Sequence, residues 1–353
     1  MGQDQEMVSL FRAELELCKI KPDETLAVLT EGNDRDEVAQ AFLAAARQIG
    51  ADAFQVNVSK QGAGGIDNVG QNSLAADRGA IESLKRADIV IDLMFLLFSP
   101  EQIEITDSGT RMLLVMEPLD ILKRLFPTEE QRRRVEAGEQ RLAKAKEMRI
   151  TSGAGTDVTY RLGKYPVLTE YGYTDTPGRW DHWPSAFLCT SAYDDGVDGV
   201  VVIDKGDIIT QPFLDYMRDP ITLTIKNGYI TGIDGDGVDA QRVRDYIASW
   251  NDPDAYAVSH IGWGLNELAR WNYLRKSEPV MRGFGMDARS YYGNVLFSTG
   301  PNVELGGTNN TPCHLDIPLK GCTLWLDGEL IVEEGNIVPD DMCVAGAMAQ
   351  GVN

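Results

Sequence analysis

The stretch from residue 26 to residue 50, LAVLTEGNDRDEVAQAFLAAARQIG, sets the fold of the first part of the chain. Its first five residues form a short apolar run, which is typical of a buried strand. A polar turn that can cap a helix follows, and then Glu37–Ile49 has apolar residues at helical spacing. Gly50 is a typical residue at which a helix ends. The stretch therefore predicts a strand followed by a helix.

The same alternation continues through the first 150 residues. Strands that alternate with helices favour a sheet with helices on its faces. Gly62–Gly70 is rich in glycine, but it neither follows a strand directly nor opens a clear helix. It therefore predicts a flexible loop and not a dinucleotide-binding turn. We expect an α/β domain over residues 1–150, with further strands at 53–58, 87–93 and 112–116 and helices at 74–86 and 129–149.

Beyond residue 150 the composition shifts to glycine, aromatic residues and short β-rich runs. The pairs Asn227-Gly228 and Asp327-Gly328 favour tight hairpin turns. One helical segment, Asp239–Trp250, interrupts the strands. We expect a β-rich α+β domain over residues 151–353, which carries the functional site, with strands at 199–203, 221–225, 324–326 and 330–332.

The charge of the chain limits the partners it can have. Its 353 residues include 33 Lys and Arg against 54 Asp and Glu, a formal net charge of −21. This charge repels phosphate backbones and anionic membrane surfaces, so we expect neither nucleic acid nor a membrane as a partner. No apolar run approaches the roughly 18 residues of a membrane span, and the charged N-terminal residues are unlike a signal peptide. We expect a cytoplasmic protein.

The clearest chemical signal is the pair formed by His314 and Asp316. Prolines on both sides favour extended backbone, in which positions i and i+2 lie on the same face. An imidazole beside a carboxylate can bind a divalent metal ion. His260 could complete a two-histidine, one-carboxylate face with open positions, which suits Fe(II). A His–Asp hydrogen bond on a strand is the commoner meaning of such a triplet, so these residues alone leave both possibilities open.

Two other groups of residues are candidates for binding a small molecule. Glu170 and His182 lie among tyrosines and tryptophans, a pattern that predicts either a pocket for a planar polar ring or an aromatic core. Arg289 could hold an anionic group with two hydrogen bonds, or pair with Asp287 at the surface. Ser298 lies in a neighbouring Gly- and Pro-containing segment.

These segments resemble the 2,5-dihydroxypyridine 5,6-dioxygenase family, non-haem iron enzymes of bacterial nicotinate breakdown that are distantly related to thermophilic metallo-aminopeptidases. The resemblance runs along nearly the whole chain. It is densest in SPEQ (99–102), TEYGY (169–173), PGRWDHWPS (177–185), SHIGWG (259–264), YGNVLFSTGPN (292–302) and TPCHLDIPL (311–319).

The resemblance implies an activity and a set of metal ligands. The family opens a hydroxylated pyridine ring with O₂, and its substrate 2,5-dihydroxypyridine yields N-formylmaleamate. His260, His314 and Asp316 match the iron ligands of the family, which makes Fe(II) the expected cofactor. The expected partners are therefore a small hydroxypyridine and O₂, and we also expect the chain to form a homo-oligomer.

The resemblance also implies roles for other residues of the pocket. Glu170 and His182 fall in segments that line the substrate pocket of the family, and we take them as the catalytic acid–base candidates. Arg289 and Ser298 fall in similar segments and are the expected substrate contacts.

One position departs from the family. Phe98 stands where family members carry a histidine just before the SPEQ segment. A phenyl ring cannot transfer a proton, so either another group does so or the substrate differs, and we expect Phe98 to contact the substrate. Two alternatives remain open: a hydrolase with two metal ions, similar to the aminopeptidases, and a small-molecule binder without catalysis.

Overall fold

The computed structural model describes residues 3–33, 35–60, 72–97, 99–274 and 284–344. The predicted loop Gly62–Gly70 lies outside these residues, and so does Phe98. No helix in the described part of the chain has the length and apolar character that crossing a membrane requires.

The helices and strands are as follows. The helices are α1 (Gln3–Leu17), α2 (Asp36–Ile49), α3 (Arg78–Leu84), α4 (Pro100–Asp107), α5 (Leu119–Arg124), α6 (Glu129–Leu142), α7 (Val238–Ser249) and α8 (Met286–Arg289). The strands are β1 (Thr25–Glu31), β2 (Asp52–Val58), β3 (Ile89–Asp92), β4 (Arg111–Val115), β5 (Glu147–Ser152), β6 (Asp157–Arg161), β7 (Leu168–Glu170), β8 (Trp180–Trp183), β9 (Phe187–Ser191), β10 (Val197–Ile203), β11 (Ile208–Ile209), β12 (Asp215–Tyr216), β13 (Ile221–Lys226), β14 (Tyr229–Asp234), β15 (Val258–Gly264), β16 (Val295–Thr299), β17 (Leu315–Leu319), β18 (Cys322–Leu326), β19 (Glu329–Glu333) and β20 (Asn336–Ile337).

The contacts between residues divide the chain into two compact units. This division differs from a single boundary near residue 150, because α6 and β5 belong to the second unit while two later segments belong to the first. Unit 1 consists of Met1–Pro127, Glu170–Ser185 and Arg275–Phe284, and unit 2 of Thr128–Thr169, Ala186–Leu274 and Gly285–Asn353.

Unit 1 contains a parallel sheet of five strands in the order β2-β1-β3-β4-β8. Residues 26–50 form most of β1 and the helix α2, as predicted. Gly50 ends α2 with φ of 101°, and its backbone N–H donates to carbonyl groups of the last turn. Phe42 of α2 stacks on Phe11 of α1 with 3.9 Å between ring centroids, and Trp183 of β8 contacts Phe11 edge-on. These aromatic contacts pack α1 and α2 on one face of the sheet.

Unit 2 contains two larger antiparallel sheets. One has the order β14-β13-β10-β6-β5-β18-β19-β20 and the other the order β17-β16-β15-β9-β7, and β11 pairs with β12 separately. Both larger sheets bury apolar side chains in one common core, so the unit packs sheet against sheet. The core includes Met148, Tyr160, Val201, Leu223 and Leu324 from the first sheet and Leu188, Ile261, Trp263, Phe297 and Ile317 from the second.

The structure is thus a mixed α/β fold with a parallel sheet and several antiparallel sheets, as the alternating and β-rich patterns predicted. Both predicted hairpin turns are present: Asn227 and Gly228 have positive φ between β13 and β14, and Asp327 and Gly328 have positive φ between β18 and β19. The hairpin predictions are therefore confirmed.

Two helix predictions were partly wrong. The helix predicted over 129–149 ends at Leu142, because Glu147–Ser152 pairs with β18 and β6. The helix predicted over 74–86 is interrupted at Asp77, whose carboxylate accepts from the backbone N–H of Ala80 and begins α3. Pairing with other strands decided the local structure in the first case, and a local capping contact decided it in the second.

Close approach of two strands in unit 2 gives the first prediction. A Cβ atom added to Gly262 of β15 would lie 1.9 Å from the Leu188 carbonyl oxygen of β9. Gly262→Ala should therefore lower the free energy of unfolding by about 2–3 kcal/mol, as overpacking does. Gly153→Ala is the matched control, because a Cβ there meets nothing within 4 Å. Equal stability of the two variants in urea unfolding would contradict the close approach.

Candidate metal centre

Strands β15, β16 and β17 form the floor of the candidate site. They pair antiparallel, with Ser298 opposite Asp316 and Phe297 opposite Ile317. Side chains alternate along a strand, so Ile261, Phe297 and Ile317 enter the apolar core. Ser298 and Asp316 consequently lie on the other face of the sheet, where they are also buried.

His260 reaches this face through an irregularity in β15. Between Val258 and Ile261 the pairing with β16 shifts register, so that two residues of β15 correspond to one of β16. Such a bulge bends a strand and redirects a side chain. At this position it brings the His260 ring to 5.4 Å from the His314 ring, measured between centroids.

Three side chains converge at the site, each from the second part of the chain. Oδ1 of Asp316 lies 3.1 Å from Nε2 of His260 and 3.2 Å from Nε2 of His314. One ligand atom from each residue can be chosen so that all three lie within 4.8 Å of one another. All three residues are buried. The i and i+2 arrangement predicted for His314 and Asp316 therefore matches their positions.

The arrangement fits a metal ion bound on one side by three ligands. With metal–ligand distances of about 2.1 Å, adjacent ligand atoms of an octahedron lie about 3 Å apart, which agrees with the two separations from Asp316 Oδ1. Two imidazoles and one carboxylate on one face leave the other positions open, the arrangement typical of non-haem Fe(II) oxygenases. Among the described residues, this is the group of histidine and acidic side chains that could hold a metal ion.

The orientation of the His314 ring is fixed by a hydrogen bond from its Nδ1, the nitrogen that faces away from Asp316. Its Nδ1 lies 2.9 Å from the carbonyl oxygen of Thr299 on the adjacent strand. A carbonyl oxygen only accepts, so Nδ1 carries the hydrogen, and in the neutral ring Nε2 holds the lone pair that faces Asp316. Hydrogen bonds of this kind orient metal-binding histidines.

Arg289 lies beside the second oxygen of Asp316. Its Nε is 3.8 Å from Asp316 Oδ2, and its guanidinium lies over the Phe187 ring, 5.0 Å from the centroid. Arg289 is therefore buried next to the ligand group and not paired at the surface. This position would allow it to meet an anionic group bound at the open side.

The electrostatics keep Asp316 ionised. Burial raises the pKa of Asp316, but the opposing effects of His314 and Arg289 are together larger. The pKa of Asp316 therefore lies well below its usual range. Burial lowers the pKa of His260, whereas interactions with Asp316 and Glu304 raise it to about 9. The carboxylate is therefore ready to bind a cation, while His260 must lose a proton before its Nε2 can do so.

Ser298 contacts a ligand strand directly. Its hydroxyl donates to the backbone carbonyl oxygen of His260 over 2.6 Å and is fully buried. Its hydrogen is thus engaged within the protein, and Ser298 can offer a substrate only lone pairs.

Glu170 and His182 lie in unit 1, where each is buried. Glu170 Oε2 accepts a hydrogen bond of 2.9 Å from Ser185. His182 belongs to β8, and the alternation of that strand directs it away from Trp183, which packs in the unit 1 core. The aromatic segment around β8 thus supplies core residues, and the roles predicted for Glu170 and His182 stay predictions. Phe98 lies outside the described residues.

The sequence patterns predicted no role for Glu304 at this site. Glu304 Oε1 lies 3.8 Å from Nδ1 of His260, although the two residues are far apart in the chain. Only the pairing of β15 with β16 brings these residues together, and no local pattern reports that pairing.

Removing one ligand of the group should abolish metal binding. His314→Ala leaves one histidine and one carboxylate, too few to hold an ion firmly. We expect anaerobically loaded His314→Ala to retain less than about one tenth of an equivalent of metal. Its far-UV circular dichroism spectrum should be unchanged. His182→Ala is the control and should keep its metal. A full equivalent of metal in His314→Ala would contradict the assignment.

Metal binding should depend on pH because of His260. Because Asp316 and Glu304 raise the pKa of His260 to about 9, we expect a second proton on its ring at neutral pH, which a metal ion at Nε2 must displace. The apparent affinity for Co(II) should therefore rise about tenfold per pH unit between pH 7 and pH 8, with release of about one proton per ion. Competitive titration at the two pH values measures this, and identical affinities without proton release would show that His260 is not a ligand.

Comparison with known proteins agrees with the resemblance seen in the sequence. A family model for 2,5-dihydroxypyridine 5,6-dioxygenase matches residues 6–339. The 2,5-dihydroxypyridine 5,6-dioxygenase of Pseudomonas putida KT2440 is 44% identical over 339 residues, which cover 94% of this chain and 96% of that protein.

Two solved structures are similar. The structure of 2,5-dihydroxypyridine dioxygenase from Pseudomonas putida KT2440 has a TM-score of 0.92 and 42% identity, and the match covers 97% of this chain and 100% of that one. Wild-type AmpT from Thermus thermophilus has a TM-score of 0.64 and 13% identity over 95% of this chain and 99% of that one, so it shares the fold alone. The protein therefore belongs to the 2,5-dihydroxypyridine 5,6-dioxygenase family.

Proposed function

We propose that this protein opens the ring of 2,5-dihydroxypyridine with O₂ and releases N-formylmaleamate. The observation that carries the proposal is the buried group of two histidines and one carboxylate in a chain of this family. The substrate is inferred from the relative with 44% identity, whose name specifies it. Hydrolysis with two metal ions has less support, because the described residues provide one group of potential metal ligands.

We assign Fe(II) to the group formed by His260, His314 and Asp316. The donor set supports this choice, since two imidazoles and one carboxylate suit iron that must also accept exogenous ligands. Bound there, Fe(II) would supply Lewis acidity, open positions and the one-electron chemistry that O₂ requires. The three side chains would hold their ligand atoms on one side of the ion, which would leave its other coordination positions for exogenous ligands.

Arg289 would fix the in-plane orientation of the ring. Its guanidinium is adjacent to Asp316 Oδ2, so an anionic or carbonyl oxygen of the substrate could contact it from the open side. A planar guanidinium can form two parallel hydrogen bonds with such an edge, whereas a lysine cannot. Ser298 would accept a hydrogen bond from a ring hydroxyl or N–H, because its own hydrogen is held by the His260 carbonyl.

The proton step is proposed for His182, and Glu170, also in unit 1, is the second acid–base candidate. An imidazole is suited to proton transfer near neutral pH, and both residues are buried from bulk water. Phe98, where the family has histidine, would then shape the pocket without moving a proton. Cytoplasmic location and assembly into a homo-oligomer stay predictions from the sequence.

Ring cleavage can be tested with Fe(II)-loaded protein. We expect consumption of one O₂ per 2,5-dihydroxypyridine and formation of N-formylmaleamate, measured with an oxygen electrode and mass spectrometry. His182→Ala should lower kcat by about 10²–10⁴-fold with iron retained, the usual contribution of an acid–base group. No turnover of any hydroxypyridine by the iron-loaded wild type would contradict the proposed function. Native kcat in His182→Ala across pH 6–9, about two units around an imidazole pKa, would contradict the proton role.

Phe98→His tests whether the phenyl ring replaced a useful base. If the reaction is unchanged from the family, the variant should cleave 2,5-dihydroxypyridine faster, because a second proton-transfer group is restored. Phe98→Leu is the control for a change of size without a base. Slower cleavage in Phe98→His, together with preference of the wild type for another hydroxypyridine, would show that the pocket serves a different substrate.

A further inference from the structure

Glu304 is a buried carboxylate next to the candidate metal centre. It lies in a short 3-10 turn, Val303–Leu305, that follows β16, and only 8% of its side chain is exposed. Among the described residues, neither of its carboxylate oxygens has a hydrogen-bond partner. Burial of a charged group without hydrogen bonds is costly, so a structural role within the fold does not account for Glu304.

The group that Glu304 faces is the outer nitrogen of His260. Nδ1 of His260 lies 3.8 Å from Glu304 Oε1, while Nε2 of the same ring lies 3.1 Å from Asp316 Oδ1. The ring therefore has the ligand Asp316 on one side and Glu304 on the other. When a neutral imidazole binds a metal through Nε2, its hydrogen is on Nδ1 and needs an acceptor.

We propose that Glu304 is a positioning residue, which accepts the Nδ1–H of His260 and directs Nε2 to the metal ion. This inference rests on the proposed metal site. A hydrogen bond of about 3.0 Å requires the two atoms to approach by about 0.8 Å, which a small rotation of either side chain provides. A carboxylate in this position also makes the imidazole a stronger ligand.

The two histidines then differ in their outer partners. His314 donates to the neutral carbonyl oxygen of Thr299, whereas His260 would donate to a charged carboxylate. The bulge in β15 removes His260 from regular pairing with β16, the strand whose Thr299 carbonyl oxygen accepts from His314, although His260 still pairs with Ser191 of β9. Glu304, in a turn, would thus be the acceptor for the Nδ1–H of His260, as the Thr299 carbonyl oxygen of β16 is for the Nδ1–H of His314.

Ser259 is the competing acceptor. Its Oγ lies 3.4 Å from His260 Nδ1, and its own hydroxyl donates to the Pro301 carbonyl oxygen. A hydroxyl is a weaker acceptor than a carboxylate, since hydrogen bonds to charged groups are about twice as strong. Ser259 should therefore contribute less to the orientation of the ring than Glu304 does.

The test compares Glu304→Leu and Glu304→Gln with wild type, using Co(II) and anaerobic Fe(II) as probes. Leu removes the acceptor and should not destabilise the metal-free protein, because an apolar side chain replaces a buried charge. We expect metal affinity to fall roughly 10–100-fold in Glu304→Leu, less in Glu304→Gln, and a shift of the visible Co(II) absorption bands in both. Glu304→Asp, which keeps the charge, should regain part of the affinity.

Two controls separate this role from others. Asp239→Asn changes a buried carboxylate of the same unit that accepts from the backbone N–H of Arg218, and it should leave metal affinity and the Co(II) spectrum unchanged. Ser259→Ala should reduce the affinity by less than Glu304→Leu does.

Three results would overturn the proposal. The first is metal affinity within about twofold of wild type in Glu304→Leu and Glu304→Gln, well under the expected loss. The second is a fall in stoichiometry from two ions to one, which would make Glu304 a ligand of a second metal. The third is an equal or larger loss in Ser259→Ala. Because binding is measured without substrate, failure of ring cleavage would count against the proposed function alone.

Discussion

The antiparallel register of β15, β16 and β17 is the constraint on which the rest of the site depends. Ser298 pairs with Asp316, and Phe297 with Ile317, so one face of these strands enters the apolar core while the other carries the polar group. A slip of one residue would exchange the two faces. The packing of the core residues thus determines where the side chains of the candidate metal site point, so one register sets both the core and this site.

The bulge at His260 changes the direction of one side chain of the candidate site. In a regular β15 every residue would lie opposite one residue of β16. The extra residue of the bulge changes the direction of the His260 side chain, and its ring lies next to that of His314. The charges around this group are closely balanced. Asp316 has His260 and His314 near one oxygen and Arg289 near the other, and Glu304 lies beyond His260. A buried group with this arrangement would favour a cation between Asp316 and the two histidines.

Local patterns in the sequence predicted the parts of the structure that depend on neighbouring residues. The strand and helix at residues 26–49, the hairpin turns at Asn227-Gly228 and Asp327-Gly328, and the shared direction of His314 and Asp316 follow from periodicity and turn chemistry. Each signal lies within a few residues of the structure it predicts.

Features that depend on distant partners were not predictable in this way. Trp180–Trp183 looked like an aromatic cluster, yet it pairs with β4 as the outer strand of the parallel sheet. Residues 147–149 ended the predicted helix 129–149, yet they belong to a strand, Glu147–Ser152, that pairs with β18. Glu304 meets His260 only because two strands align in space. Parallel and long-range pairings leave little local trace in the sequence.

The most direct test of the account is the crystal structure of the Fe(II)-loaded protein, prepared anaerobically and measured at the iron absorption edge. The account predicts one anomalous peak within about 2.2 Å of Nε2 of His260, Nε2 of His314 and a carboxylate oxygen of Asp316, the usual range for nitrogen and oxygen ligands. A peak that contacts none of these side chains, or two peaks bridged by a carboxylate, would contradict it.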